Sequence, residues 1–222
     1  MDNINKLERF QDQLEDGLDS KIQTANDPNN QHPLFFIKKN FVDGDFTLEL
    51  VSYMGTYNEN DNEDCTEDEI STEPRDLRSW LITEPELTLG KLSEVCSCLN
   101  EQAEDVVLMS RVRVSNAYKH LPMIDFVGEV GSAQIIELLT NPYLQPFFEG
   151  APAAVVTTGR SVHVYGSKLF REKDFDAYCG ALLLANRDLK IVDEQWLAYR
   201  LYRGVLALRW TARNPPYLKI PE

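Results

Sequence analysis

Long apolar runs are absent from this sequence of 222 residues. No stretch approaches the roughly 20 consecutive apolar residues that a membrane-spanning helix needs. The hydrophobic fraction is nevertheless 43%, which is enough for a folded core. The first residues, Met1 to Arg9, contain no basic segment followed by an apolar one, so we expect a polar helix there rather than a signal peptide. These absences predict a folded, cytoplasmic protein that does not engage a membrane.

Cysteine is scarce, and its spacing is uninformative. The chain has four cysteines and no CxxC pair: Cys65, Cys96, Cys98 and Cys179. Cys96-x-Cys98 alone is a weak metal signal, and thiols in a reducing cytosol account for all four residues. The segment 59–69 carries seven carboxylates but lacks the spacing and central glycine of a calcium-binding loop. We therefore expect a solvated loop there.

Basic residues are few and unevenly placed. Lys and Arg number 22 against 36 Asp and Glu, and the net charge is −14. This balance argues against nonspecific binding of nucleic acid by the surface as a whole. From Val155 to Glu222, however, there are 11 basic and 7 acidic residues, while the rest of the chain has 11 basic and 29 acidic residues. The C-terminal part is thus suited to phosphates, and the acidic front part is either solvated or meets a protein partner.

Hydrophobic periodicity predicts an α+β fold with a mainly antiparallel sheet and flanking helices. Helices are predicted over 4–23, 86–103, 132–139, 173–185 and 193–203. Strands are predicted over 34–37, 46–53, 106–114, 121–127, 153–158, 161–166, 205–212 and 217–220. We expect the four strands between 106 and 166 to share one sheet, with Asp125 and His163 on the same face. We further expect an N-terminal acidic region, 1–104, packed on or continuous with a core formed by 105–222.

Three short motifs lie in the core. Ile124-Asp125 and Val192-Asp193 each end an apolar run, and Ser161-Val-His163 follows the turn at Gly159-Arg160. Residues at i and i+2 on a strand point to the same face, so Ser161 and His163 would lie side by side. Both can donate hydrogen bonds to a phosphate oxygen. Carboxylates such as Asp125 and Asp193 are the groups that hold divalent cations in phosphoryl-transfer sites.

In order, spacing and hairpin context these motifs resemble the archaeo-eukaryotic primase superfamily, which includes primase small subunits and primase-polymerases. In that family a strand bears Asp-x-Asp or Asp-x-Glu, a later strand bears Ser-x-His, and a third segment ends in an apolar-Asp pair. The resemblance covers roughly residues 105–220. It implies a catalytic core similar to the RNA-recognition motif, and nucleotidyl transfer from nucleoside triphosphates on a nucleic-acid template with Mg²⁺ or Mn²⁺.

The resemblance also implies roles for individual residues. Asp125 and Asp193 would be catalytic metal ligands, and Ser161 and His163 would contact the triphosphate. Three arginines would hold phosphates or the template backbone: Arg160, Arg203 and Arg209. A small protein of this type would suit a mobile element or an antiphage defence system.

The first motif departs from the family pattern. Val127 stands where a second carboxylate is expected, two residues after Asp125. The next carboxylate, Glu129, would be roughly 13 Å from Asp125 along a continuing strand, too far to share a metal unless a bulge at Gly128 draws it closer. Catalysis is therefore intact, weakened or lost, and a non-catalytic interaction or nucleotide-binding module is the alternative.

Purely structural roles also remain open for the same residues. Asp193 precedes a predicted helix and would serve as its N-cap. His163 lies between two valines and would fit a buried position in the core.

Overall fold

Two β-sheets and four α-helices organise the part of the chain that the computed structural model describes. That part comprises residues 22–24, 46–54, 76–86, 88, 90–91, 94–95, 104–128, 130–157 and 161–209. None of its helices is long and apolar enough to cross a membrane. The α+β class and the mainly antiparallel pairing predicted from the sequence are confirmed.

The larger sheet has the strand order β3-β2-β4-β5-β9, and β10 pairs with β4 beside β5. All its pairs are antiparallel. Its strands are β2 (Phe46–Met54), β3 (Asp76–Thr83), β4 (Glu104–Val114), β5 (Ala117–His120), β9 (Phe170–Arg171) and β10 (Ala207–Arg209). In β2, buried and half-buried side chains alternate: Phe46, Leu48 and Leu50 are buried, and the residues between them are half-buried. This alternation is typical of a strand that packs one face on the core.

The smaller sheet has the order β1-β7-β8-β6, in which only β1 and β7 run parallel. Its strands are β1 (Ile22–Thr24), β6 (Met123–Asp125), β7 (Ala153–Thr157) and β8 (Val162–Gly166). Every residue of β8 is buried, because the strand lies inside the sheet with packing on both faces. Just beyond β6, Phe126 forms an isolated antiparallel bridge with Val192.

The helices are α1 (Ser132–Leu139), α2 (Gln145–Phe148), α3 (Phe175–Asn186) and α4 (Glu194–Arg203), with 3-10 turns at Glu84–Glu86 and Glu172–Asp174. Helix α3 buries one face in the core through Tyr178 and Leu182. The Tyr178 hydroxyl donates to the Met123 carbonyl oxygen at 2.8 Å and so ties α3 to β6. Helix α4 ends at Gly204, whose φ of 68° is the left-handed conformation that glycine adopts without strain.

The placement of β4 corrects one expectation. The strands 106–114, 121–127, 153–158 and 161–166 do not share a sheet, because β4 belongs to the larger sheet and β6, β7 and β8 belong to the smaller one. The chain changes sheets at Leu121 and Pro122, between β5 and β6, where proline lacks the N–H that a strand pairing needs.

The predicted first helix is wrong at its end, since Ile22 begins β1. The sequence alone did not predict β3, β5, β9 or α2.

Several sequence predictions lie outside the described residues. These are most of the 4–23 helix, the strands 34–37 and 217–220, and the acidic segment 59–69. The division into regions 1–104 and 105–222 stays a prediction. Strands β2 and β3, from the first region, pair in one sheet with β4 from the second.

A buried polar junction joins β4, β5 and β10. The Ser110 amide donates to the Leu206 carbonyl oxygen at 2.8 Å, and the Ser110 carbonyl accepts from Leu121 at 2.7 Å. The Ser110 hydroxyl oxygen accepts from the Leu206 amide at 3.0 Å and lies 2.9 Å from His120 Nδ1.

His120 is fully buried, with its ring against Phe170 and Phe175. This burial, reinforced by the positive charge of Arg111, lowers the pKa of His120 to about 4.

We predict an acid-sensitive component of stability at His120. The pKa of the imidazole is lower in the folded chain than the ordinary value of 6.5, so protons favour the unfolded state. The stabilisation is complete above pH 6.5 and is lost as the pH falls towards 4, by at most about 3 kcal/mol. Urea unfolding at pH 7 and pH 4.5 measures the loss. His120→Asn, whose amide oxygen can replace Nδ1 as acceptor, should lose about 2 kcal/mol less than the wild type. Equal losses would contradict the prediction.

Candidate functional site

Asp125 and His163 meet across the pairing of β6 with β8. The two residues are directly opposite in this antiparallel register, so their side chains share a face of the sheet. His163 Nε2 lies 3.4 Å from Asp125 Oδ1. The His163 side chain is 8% exposed and that of Asp125 is 22% exposed, so the carboxylate is the more accessible member of the pair. The prediction that both residues lie on one face is confirmed.

Ser161, which immediately precedes β8, lies close to Asp125. Its hydroxyl oxygen lies 3.2 Å from Asp125 Oδ1 and also close to the Phe126 carbonyl oxygen. A hydroxyl has one proton, so it donates to one of these acceptors at a time. The structure thus brings Ser161, Asp125 and His163 together, as the Ser-x-His spacing predicts.

Asp193 lies on the side of β6 opposite β8, next to Asp125. The Asp193 amide donates to the Asp125 carbonyl oxygen at 2.9 Å, and the Val127 amide donates to the Ile191 carbonyl oxygen at 2.8 Å. These bonds flank the Phe126–Val192 bridge and place Asp193 directly across from Asp125. Asp193 has an extended backbone (φ −69°, ψ 97°), so the register continues to it. Residues paired in this way present their side chains on one face, and Asp125 is flanked by His163 and Asp193.

The Asp193 carboxylate also caps α4. Its Oδ1 accepts a hydrogen bond from the Trp196 amide at 2.8 Å, which satisfies one of the unpaired donors in the first turn. The predicted role of Asp193 as an N-cap is therefore confirmed. This bond engages one of the two carboxylate oxygens, which limits what Asp193 offers to a cation.

Val127 lies on the exposed face that Asp125 occupies. Its side chain is 59% exposed, whereas Phe126 between the two is buried. Gly128 follows with φ 68°, a left-handed conformation that ends the extended run. Glu129, the next carboxylate along the chain, lies outside the described residues. A metal role for Glu129 stays a prediction.

The described side chains of this face form no cluster of three metal ligands. Within the described residues, no group of three or more His, Cys, Asp or Glu side chains could hold a metal ion. Asp125 and Asp193 are cross-strand neighbours, but an exposed valine stands at the third position and a helix cap engages part of Asp193.

The structure does not bring the two described arginines that were predicted to bind phosphate as close to Asp125 as it brings Ser161 and His163. Arg203 lies in the last turn of α4, and ten helical residues span about 15 Å, so the helix separates it from Asp193. Arg209 is exposed on β10, which lies near β6. Arg160 is outside the described residues. Phosphate binding by these arginines stays a prediction.

Two residues of this region escaped the sequence reading. Tyr165 is fully buried, with its hydroxyl oxygen 3.4 Å from His163 Nδ1. The carboxylate beside Nε2 favours the tautomer with the proton on Nε2, and the Tyr165 hydroxyl then donates to Nδ1. The spacing of Tyr165 two residues after His163 could have suggested this contact. Asn186 ends α3 and binds the segment before Asp193. No local pattern in the sequence marks Asn186.

Comparison with known proteins agrees with this geometry. The family model described as "AEP-like: Archaeo-eukaryotic primase 1D-like" matches residues 84–222. No curated protein and no solved structure matches the chain. The matched region is more than half of the chain and contains Asp125, Ser161, His163 and Asp193. The chain therefore belongs to the archaeo-eukaryotic primase family.

Proposed function

We propose that this primase-like domain binds a nucleoside triphosphate on the face that carries Asp125, Ser161, His163 and Asp193, and that its metal-dependent nucleotidyl transfer is weakened. One observation carries the proposal, namely the alignment of His163, Asp125 and Asp193 side by side across β8, β6 and the bridge segment. The family match supports primase-like nucleotidyl transfer at the level of the family.

The side chains divide into donors and acceptors. The Ser161 hydroxyl and His163 Nε2 both lie close to Asp125 Oδ1. The hydroxyl can rotate its proton to a phosphate oxygen that arrives beside that carboxylate, whereas the imidazole N–H, which is fixed in the ring plane, would be shared between Asp125 and the phosphate oxygen. The buried Tyr165 hydroxyl keeps the imidazole oriented through Nδ1. These donors would hold the ligand's phosphates and fix their orientation against β6.

Asp125 and Asp193 are the residues that would hold a Mg²⁺ or Mn²⁺ ion. Such a cation neutralises phosphate charge and lowers the barrier to transfer. Weakened binding follows from the two features that distinguish this site. Val127 supplies no charge at the exposed position beside Asp125, and the Asp193 carboxylate is shared with the Trp196 amide.

A non-catalytic nucleotide-binding or interaction module is the second candidate. The bond from the Trp196 amide to Asp193 favours it, because a helix cap accounts for this aspartate without any ligand. In that case the acidic N-terminal half would meet a protein partner, and Arg160, Arg203 and Arg209 would make no contact with a template. Both candidates are compatible with a role in a mobile element or in antiphage defence.

His163→Ala is predicted to weaken nucleotide binding. A charge-assisted hydrogen bond to phosphate contributes about 1.5–3 kcal/mol, so the Kd for a nucleoside triphosphate should rise on the order of tenfold to a hundredfold in calorimetric titration. His120→Ala is the matched control, since His120 is a buried histidine of the other sheet. It should lower the melting temperature and leave the Kd unchanged. An unchanged Kd in His163→Ala, together with lower stability, would assign His163 to the core alone.

Val127→Asp is predicted to strengthen the metal site. The change adds a carboxylate on the exposed face of Asp125, and extra ligand charge should lower the Kd for Mn²⁺ about tenfold. Val127→Asn, similar in size but uncharged, is the control and should bind Mn²⁺ as the wild type does. Template-dependent nucleotide incorporation should rise in the aspartate variant. Flat Mn²⁺ affinity, with an unchanged circular dichroism spectrum, would argue against a metal site at Asp125 and favour the non-catalytic module.

A further inference from the structure

Asn186, the last residue of α3, is a fully buried polar side chain whose oxygen and nitrogen both form hydrogen bonds. Its Oδ1 accepts from the Ile191 amide at 2.8 Å and from the Val192 amide at 2.9 Å. Its Nδ2 donates to Glu194 Oε1 at 2.9 Å. The amide thus contacts both sides of Asp193 along the chain.

These contacts determine the path of the turn between α3 and α4. The Asn186 carbonyl oxygen accepts from the Lys190 amide at 2.8 Å, and Lys190 has a φ of 53°, which a non-glycine residue adopts only under strong local constraint. Ile191 and Val192 are buried, so without Asn186 their amides would lack acceptors in an apolar setting. The same two residues pair with β6 around Phe126.

We propose that Asn186 is a positioning residue of the nucleotide site: by holding Ile191 and Val192 it sets where the Asp193 carboxylate stands relative to Asp125. The inference rests on the proposed function. It assigns a binding role to a side chain that does not itself touch the ligand, and it explains why a polar group occupies this buried position.

The chemistry of the amide provides a sharp test. Asn186→Asp keeps an acceptor for the two backbone amides but places a carboxylate against Glu194 where a hydrogen bond of 2.9 Å stood. In the Asn186→Asp variant, a second change of Glu194→Gln supplies an amide N–H that can donate to the new carboxylate at position 186. The hydrogen bond between the two side chains is then restored with its direction reversed. The single Glu194→Gln change leaves Asn186 with an acceptor. The double variant should therefore restore what the Asn186→Asp variant loses.

The binding experiment compares the wild type, both single variants and the double variant by calorimetric titration with ATP in the presence of Mn²⁺. We expect the Kd to rise tenfold or more in Asn186→Asp and to return to within about threefold of wild type in the double variant. Leu182→Ala, a buried change on the same helix, controls for stability and should lower the melting temperature without moving the Kd. A Kd that stays constant in Asn186→Asp while stability falls would overturn the proposal.

A second measurement separates this inference from the proposed function. Hydrogen exchange at the Val127 and Asp193 amides reports the bridge bonds directly and needs no ligand. Exchange at both amides should be at least about tenfold faster in Asn186→Asp and near the wild-type rate in the double variant. Absence of nucleotide binding in the wild type would refute the proposed function, and the exchange data would still decide the positioning role. Equal exchange in all four proteins would refute that role.

Discussion

The hydrogen bond from the Asp193 amide to the Asp125 carbonyl oxygen, with its companion from Val127 to Ile191, is the contact on which the site depends. These bonds extend the smaller sheet by one bridge beyond β6. Because of them, a residue that begins a helix lies beside a residue that ends a strand. Without this bridge, Asp125 and His163 would still face each other across β6 and β8, but the second carboxylate would have no fixed place.

Asp193 and His163 stabilise the fold and also lie at the candidate site. Asp193 begins α4 through its bond to the Trp196 amide, a cap that contributes about 1 kcal/mol, and a cation at its carboxylate would compete with this contact. His163 is almost fully buried yet directs Nε2 to the partly exposed Asp125. The proposed function therefore assigns both a structural and a ligand-binding role to Asp193 and His163. The weak metal binding that we propose rests on this shared use of Asp193 and on the exposed Val127.

Two buried polar centres hold the parts of the fold together. Ser110 and His120 connect β10 and β5 to β4 at the point where the chain leaves the larger sheet. Asn186 performs the corresponding task where the chain passes from α3 to the bridge segment. Each centre satisfies backbone groups that regular secondary structure leaves unpaired, which is the usual requirement for polar groups in a core. Both centres therefore stabilise junctions of the fold through side chains other than Asp125, Ser161, His163 and Asp193.

Much of the local structure followed from the sequence alone. Periodicity predicted α1, α3 and α4, Asp193 was recognised as an N-cap, and alternation predicted β2, β4 and β8. The Ser-x-His spacing placed Ser161 and His163 on one face, because side chains two residues apart on a strand point the same way. These features depend on neighbours within a few residues, so a single sequence contains the information they require.

Only the tertiary structure decided which elements meet. Alternation marks which side of a strand is buried but not which strand pairs with it, so β4 was assigned to the wrong sheet. The same limit hid the register that sets Asp193 across from Asp125, since this contact joins segments that lie far apart in the sequence. Asn186 binds amides five and six residues further along the chain, but no local pattern marks it. Sequence determined the residue types available to the site, whereas long-range hydrogen bonding decided their distances, because pairing partners are chosen by the packing of the whole core.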